Sequence, residues 1–137
     1  MAKGKTEQPG DLKYAETHEW VRIEGTQATI GISDYAQDEL GDVVFLDLPW
    51  DEDSNRDLKS GERFGDIESV KATSELFIPV SGKIVRVNEA LRDKPELVNS
   101  DPHGEGWMLV IELSDPAEAE KLMDADTYTA FLEAGGH

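Results

Sequence analysis

The sequence predicts a mainly β domain, a sandwich or barrel with short helices added. Three observations carry that prediction. Short apolar, β-branched runs recur along the chain, and glycine, proline or acidic turn residues close nearly all of them. Helical spacing is confined to the stretch after Ile32 and to the C-terminal end. The 137 residues suffice for one compact core and not for two, and no linker divides them.

Residues 1–11 contain no apolar segment, so they are expected to be a disordered leader, neither signal peptide nor membrane anchor, on a cytoplasmic protein. Residues 12–137 are expected to form a single domain. His18 to Ile23 alternates as a strand and ends at Glu24-Gly25, and Ala28 to Ile32 returns to make a hairpin. Ser33 or Asp34 caps a short helix through Tyr35, Ala36 and Leu40, which Gly41 stops. Asp42 to Pro49 reads as the next strand.

Trp50 to Ser60 is acidic and irregular. Asp51, Asp53, Asn55, Asp57 and Glu62 nearly spell a calcium loop, but Arg56 occupies the place that needs glycine and Lys59 sets a cation among the ligands. It is read as a solvated acidic loop. Gly61 to Val70 and Thr73 to Val80 are two strands meeting at Lys71, and Lys83 to Asn88 is a half-buried strand. Glu89 to Glu96 reads as a polar connection broken by Pro95, and Leu97 to Pro102 as the approach to a turn. Trp107 to Leu113 is the last strand. Asp115-Pro116-Ala117-Glu118 is a capping box, placing Ala119, Leu122 and Met123 on one helical face. Tyr128, Phe131 and Leu132 share the face of a closing helix that ends at Gly135.

Composition narrows the function classes. Thirty acidic residues oppose 13 basic ones, a net charge of -17, which repels nucleic acid and anionic lipid and favours partners with basic patches. Without cysteine there is no disulfide, no thiolate catalysis and no cysteine-based zinc site, so redox sulfur would have to come with a cofactor. His18, His103 and His137 have no metal-ligand spacing, and His18 reads as a packing or hydrogen-bonding residue. No phosphate loop, nucleophile elbow or dinucleotide fingerprint occurs, and the chain is not expected to be an enzyme.

The stretch Ile67-Glu68-Ser69-Val70-Lys71-Ala72-Thr73-Ser74-Glu75 is the exception to this blandness. A lysine at a hairpin tip is ordinarily a solvated charge. Here Glu68 stands three places before it, small Ala72 follows it, and Gly82 closes the next strand. An enzyme that modifies an amine needs such a protruding tip, free of bulk and marked by a charge.

The string ESVKATSE resembles the glycine cleavage system H-protein family among lipoyl carriers, whose acyltransferase relatives typically carry aspartate where Val70 stands. Tyr14…His18-Glu19-Trp20-Val21, Gly41-Asp42-Val43-Val44-Phe45…Leu48-Pro49, Asn99-Ser100-Asp101-Pro102 and Gly106-Trp107-Met108 are similar to the same family, so the likeness covers about residues 12 to 133. It implies the hybrid barrel-sandwich of lipoyl and biotinyl carriers. It implies lipoate attached to Lys71, with Glu68 recognised by a lipoate ligase or an octanoyl/lipoyl transferase. It further implies a resting pocket for the aminomethyl-bearing arm at Glu19, Thr17 and Glu75, with threonine and glutamate standing where the family often has serine and aspartate. The implied partners are the P-protein (glycine decarboxylase), the T-protein (aminomethyltransferase) and the L-protein (dihydrolipoamide dehydrogenase). The carrier is expected to be monomeric, and an alternative is an H-like carrier relaying lipoate to other complexes.

Overall fold

The computed structural model describes residues 9–50 and 56–135. Positions 1–8 of the expected leader and residues 51–55 of the acidic segment lie outside the described residues. The carbonyl of Pro9 accepts from the Tyr14 hydroxyl at 2.8 Å.

Among the described residues the chain runs β1 (Lys13–Tyr14), β2 (Glu19–Glu24), β3 (Gln27–Ile32), α1 (Asp34–Leu40), β4 (Val43–Asp47), β5 (Asp57–Leu58), β6 (Arg63–Ser69), β7 (Thr73–Phe77) and β8 (Gly82–Val87). Then follow α2 (Ala90–Asp93), α3 (Leu97–Ser100), β9 (Leu109–Leu113), a 3-10 helix (Pro116–Lys121) and α4 (Ala125–Glu133). The strands form two antiparallel sheets and do not close into one barrel. One sheet has the order β1-β2-β3-β9-β8-β5 and the other β4-β6-β7. The mainly β expectation holds.

The core lies between the sheets. Val21, Ile30, Ile84 and Ile111 of the larger sheet share one buried cluster with Leu46, Ile67 and Leu76 of the smaller. Alternation along β2 sends Trp20 to the opposite face, where a second cluster of Leu12, Tyr14, Trp20 and Tyr128 forms under α4. The Tyr14 and Tyr128 rings stack there at 4.4 Å. Burial raises the pKa of both phenols, so they stay protonated donors. Trp20 Nε1 donates to the Pro102 carbonyl at 2.9 Å. Its indole occupies the space beside Gly31, where an added Cβ would stand 2.8 Å from ring carbons. Position 31 is glycine because position 20 is tryptophan.

Local signals held where they were strong. Ser33 caps α1 by accepting from Ala36 N–H, and Gly41 ends it with φ 81°. Elsewhere the structure differs from the sequence reading. The polar connection after Asn88 is partly helical, because Leu91 on α2 is buried in the core and Asn88 Oδ1 accepts from Ala90 N–H at 3.2 Å. Leu97 to Ser100 is a helical turn, α3, that buries Val98. The capping box forms only in half: Asp115 accepts from Ala117 N–H, but Glu118 turns away to accept from Ser81 N–H at 2.6 Å and Ser81 Oγ at 3.0 Å. Met123 leaves the helical face to bridge Tyr14 through two backbone bonds of 2.8 and 2.9 Å. Within the acidic segment, Leu58 is buried and pairs with Gly82.

Candidate functional site

Lys71 sits in the turn between β6 and β7, exposed, with Val70 and Ala72 on either side. Buried Ser69 makes this tip rigid. Its Oγ accepts from Lys71 N–H at 3.3 Å and Ala72 N–H at 3.1 Å, and its own N–H donates to the Ala72 carbonyl at 2.8 Å. Val70 N–H donates to the Asp42 carbonyl at 3.0 Å, fastening the turn to the entrance of β4. Sequence reasoning passed over Ser69. The available signal was a serine just ahead of a turn, which can bond to backbone two or three residues on.

The lysine stem lies along the backbone of Gly41. A Cβ there would approach Lys71 Cε to 3.2 Å, and the left-handed φ of 81° already favours glycine. Asn99 holds this corner from α3, donating to the Gly41 carbonyl and to Gln37 Oε1, both at 2.9 Å, and accepting from Val43 N–H at 2.8 Å.

A cleft of about 220 Å³, lined by Leu40 just before Gly41, opens between β2, α1 and the β6–β7 hairpin. Ile32, Ala36, Leu40, Ile67 and Leu76 make it apolar, while Thr17, Glu19, Ser74 and Glu75 add polar groups. Thus the structure brings together three of the predicted residues, Glu19, Thr17 and Glu75, in one cleft. Their settings differ. Glu75 and Thr17 are exposed, whereas Glu19 is only 1% exposed.

Burial of Glu19 has a chemical consequence. Loss of water pushes its pKa up from the ordinary 4.5 to about 7, even though three donors, its own backbone N–H among them, favour the ionised form. The other two are the Thr17 hydroxyl and, at 3.1 Å, Phe77 N–H. A carboxyl poised near neutrality inside an apolar cleft is a ready partner for a cation, since an incoming positive charge favours its ionised state.

The residue before it explains how Glu19 turns inward. His18 adopts φ 78°, ending a tight turn in which its N–H donates to Ala15 O at 2.9 Å. It lies just outside the strand in which the sequence placed it. Its Nδ1 is 2.7 Å from the Tyr128 hydroxyl, which in turn meets Ser33 Oγ at 2.8 Å. The hydrogen-bonding role read for His18 is therefore the one it has, and it also lines the cleft. Glu68 stands apart from the cleft, exposed on the hairpin and in register between Phe45 and Thr73. Among the described residues no group of three or more His, Asp or Glu is arranged to hold a metal ion.

Comparison with known proteins agrees with this geometry. The family model described as glycine cleavage H-protein matches residues 12–135. The chain is 54% identical over 127 residues to the glycine cleavage system H protein of Symbiobacterium thermophilum, covering 93% of this chain and 97% of that protein. It is 57% identical over 123 residues to the mitochondrial glycine cleavage system H protein 2 of Arabidopsis thaliana, covering 90% of this chain and 77% of that one. The crystal structure of a glycine cleavage system H protein from Mycobacterium marinum superposes with a TM-score of 0.82 at 35% identity, covering 91% of this chain and 98% of that one. Its two sheets and short helices are those of the lipoyl-carrier barrel-sandwich. With a family model over nearly its whole length, and relatives more than half identical, the chain belongs to the glycine cleavage H-protein family.

Proposed function

We propose that this protein is a non-catalytic carrier whose lipoyl arm is attached through an amide to Lys71 Nζ. The observation that carries the proposal is the placement of Lys71: a rigid, exposed tip whose stem packs on Gly41, next in the chain to Leu40, which lines a cleft holding a buried carboxyl. The residues suit such an arm. A Cβ at position 41 would crowd the stem, 3.2 Å from Lys71 Cε, and the cleft lined by neighbouring Leu40 offers apolar walls to an alkyl chain.

When bound, lipoate supplies a redox-active disulfide on a long tether, the sulfur that a chain without cysteine lacks. The protein's own residues hold and present it. Ser69 and the Val70–Asp42 bond keep the tip from folding away. Glu68, exposed three residues before the lysine, marks the tip for the attaching enzyme, a lipoate ligase or an octanoyl/lipoyl transferase. Apolar walls flank the cleft, and Glu19, with Thr17 donating to it and Glu75 at the exposed margin, holds an ammonium group by a charge-assisted hydrogen bond. The tether raises effective concentration, so cargo passes among the P-, T- and L-proteins without release to solvent. Residues 12–137 act as one carrier domain, monomeric and cytoplasmic. Among the described residues no helix is long and apolar enough to cross a membrane.

The test is intact mass and peptide mapping after incubation with a lipoate ligase, ATP and lipoate. One lipoyl adduct should appear on Lys71, and Lys71→Arg should fold normally and show none. An adduct on another lysine, or none on the wild type, would end this reading.

A further inference from the structure

Pairing of β4 with β6 is interrupted by a bulge. It is regular at Val43 opposite Ser69, shifts, and resumes at Phe45 opposite Glu68. A bulge inserts an extra residue and breaks strict alternation. Here it leaves two consecutive apolar side chains in solvent, Val44 at 50% exposure and Phe45 at 55%. Val70, 69% exposed, stands on the adjoining turn, its N–H bonded to the carbonyl of Asp42, two residues before Val44. These are the three most exposed large hydrophobic residues among those described, and Lys71 follows Val70 directly.

Their surroundings are acidic. Glu68 pairs with Phe45 in register, and Asp47, Asp66 and Glu75 make the cross-strand row two residues further along, with Arg63 bonded to Asp66 at 3.0 Å. An exposed apolar patch bordered by charge marks a protein contact, and a border of this sign calls for a cationic counterpart.

We infer that Val44, Phe45 and Val70 anchor the enzyme that acylates Lys71, a protein offering an apolar socket edged by basic side chains. The inference rests on the reading of Lys71 as the acylated residue. Reach selects this partner over enzymes that visit a finished arm. Nζ lies one lysine stem from the backbone, so an enzyme that forms a bond to it must cover the hairpin tip, Val70 included. An enzyme that meets the far end of a long arm works away from the tip and has no need to touch it. In the reaction, unprotonated Nζ attacks the carbonyl carbon of an activated acyl donor held by the enzyme, an acyl adenylate or thioester. The amide C–N bond forms, the bond to the leaving group breaks with its electron pair, and the proton lost from nitrogen neutralises that group.

The experiment measures acylation kinetics by a lipoate ligase on the full chain for wild type, Val44→Ser/Phe45→Ser, Phe45→Leu and Val70→Ser. Ile23→Ser, on β2 at 39% exposure, is the control surface change. Thermal melting of each variant is recorded alongside. The double variant should lose about tenfold or more in kcat/KM, chiefly through KM, while reaching the same final mass. Val70→Ser should fall in the same direction, Phe45→Leu should retain most of the rate, and Ile23→Ser should match wild type. Should the double variant melt early, Val70→Ser decides the matter alone, since its side chain lies on the turn and outside the core. Unchanged kcat/KM in the melting-competent variants overturns the inference while leaving the Lys71 reading intact. No adduct on wild-type Lys71 overturns the reading beneath it instead. Unchanged acylation together with wild-type self-association lost in the double variant would give the patch to a second copy of this chain, and unchanged acylation with slower arm turnover would give it to the visiting enzymes. Either result refutes the inference.

Discussion

Glu19→Gln separates the electrostatics of the cleft from its shape. Glutamine copies the neutral carboxyl in size, so below pH 4.5 the two proteins should differ only by a constant offset. That offset reflects rearranged hydrogen bonding, because glutamine presents one acceptor where Glu19 meets both the Thr17 hydroxyl and Phe77 N–H. The difference then grows with pH. In the unfolded chain Glu19 ionises near its ordinary 4.5, whereas in the fold burial holds its proton until about pH 7. A folded pKa above the unfolded one means that the native state binds the proton more tightly. Its contribution to stability is therefore complete below about 4.5, declines as pH rises through the window, and is gone above about 7. The size of the decline is about 3 kcal/mol. The other carboxyls titrate in both proteins and cancel in the difference. Urea unfolding of both proteins at half-unit steps from pH 4 to pH 8 reads the quantity directly. Glu19→Gln should gain on wild type by that amount across the window and run parallel to it above. Parallel curves throughout would show that Glu19 titrates as an exposed carboxyl and would remove the basis for its role in the cleft.

The same substitution has a functional arm: on protein carrying an aminomethyl-loaded arm, Glu19→Gln should release ammonia roughly tenfold faster in buffer, since a charge-assisted contact is worth about 1.5–3 kcal/mol. Equal release rates would exclude Glu19 as the ammonium partner. Gly31→Ala should destabilise by about 1–3 kcal/mol, because its methyl would stand 2.8 Å from the Trp20 ring. Combining it with Trp20→Phe should recover part of that loss in thermal melts, and full additivity would contradict the steric account. Calcium titrated calorimetrically should show no micromolar site at Asp51 to Glu62, as Arg56 and Lys59 oppose one, and binding abolished by Asp51→Asn would prove otherwise.

By itself the sequence determined the features whose causes lie within a few residues. The β6–β7 hairpin with Lys71 at its tip, the α1 helix between Ser33 and Gly41, and the β2–β3 hairpin are written in turn residues, caps and alternation that act locally. Resemblance then supplied what those patterns alone do not specify, the chemistry at Lys71 and the residues of the cleft. Tertiary structure decided the rest, for reasons that no local pattern carries. Alternation places Glu19 on a strand but is silent on whether that end of the strand meets water. It is buried, and its carboxyl accepts from the N–H of Phe77 on β7, 58 residues away. The connection after Asn88 looks polar, yet Leu91 and Val98 find core positions there and draw it into two helical turns. Glu118 has the spacing of a capping partner and instead bonds Ser81, a competitor brought within reach only by the fold. Phe45 belongs to a run that reads simply as a strand, with nothing in it to say which residues meet water, and a bulge of one residue in its pairing with β6 sets it in solvent beside the lysine.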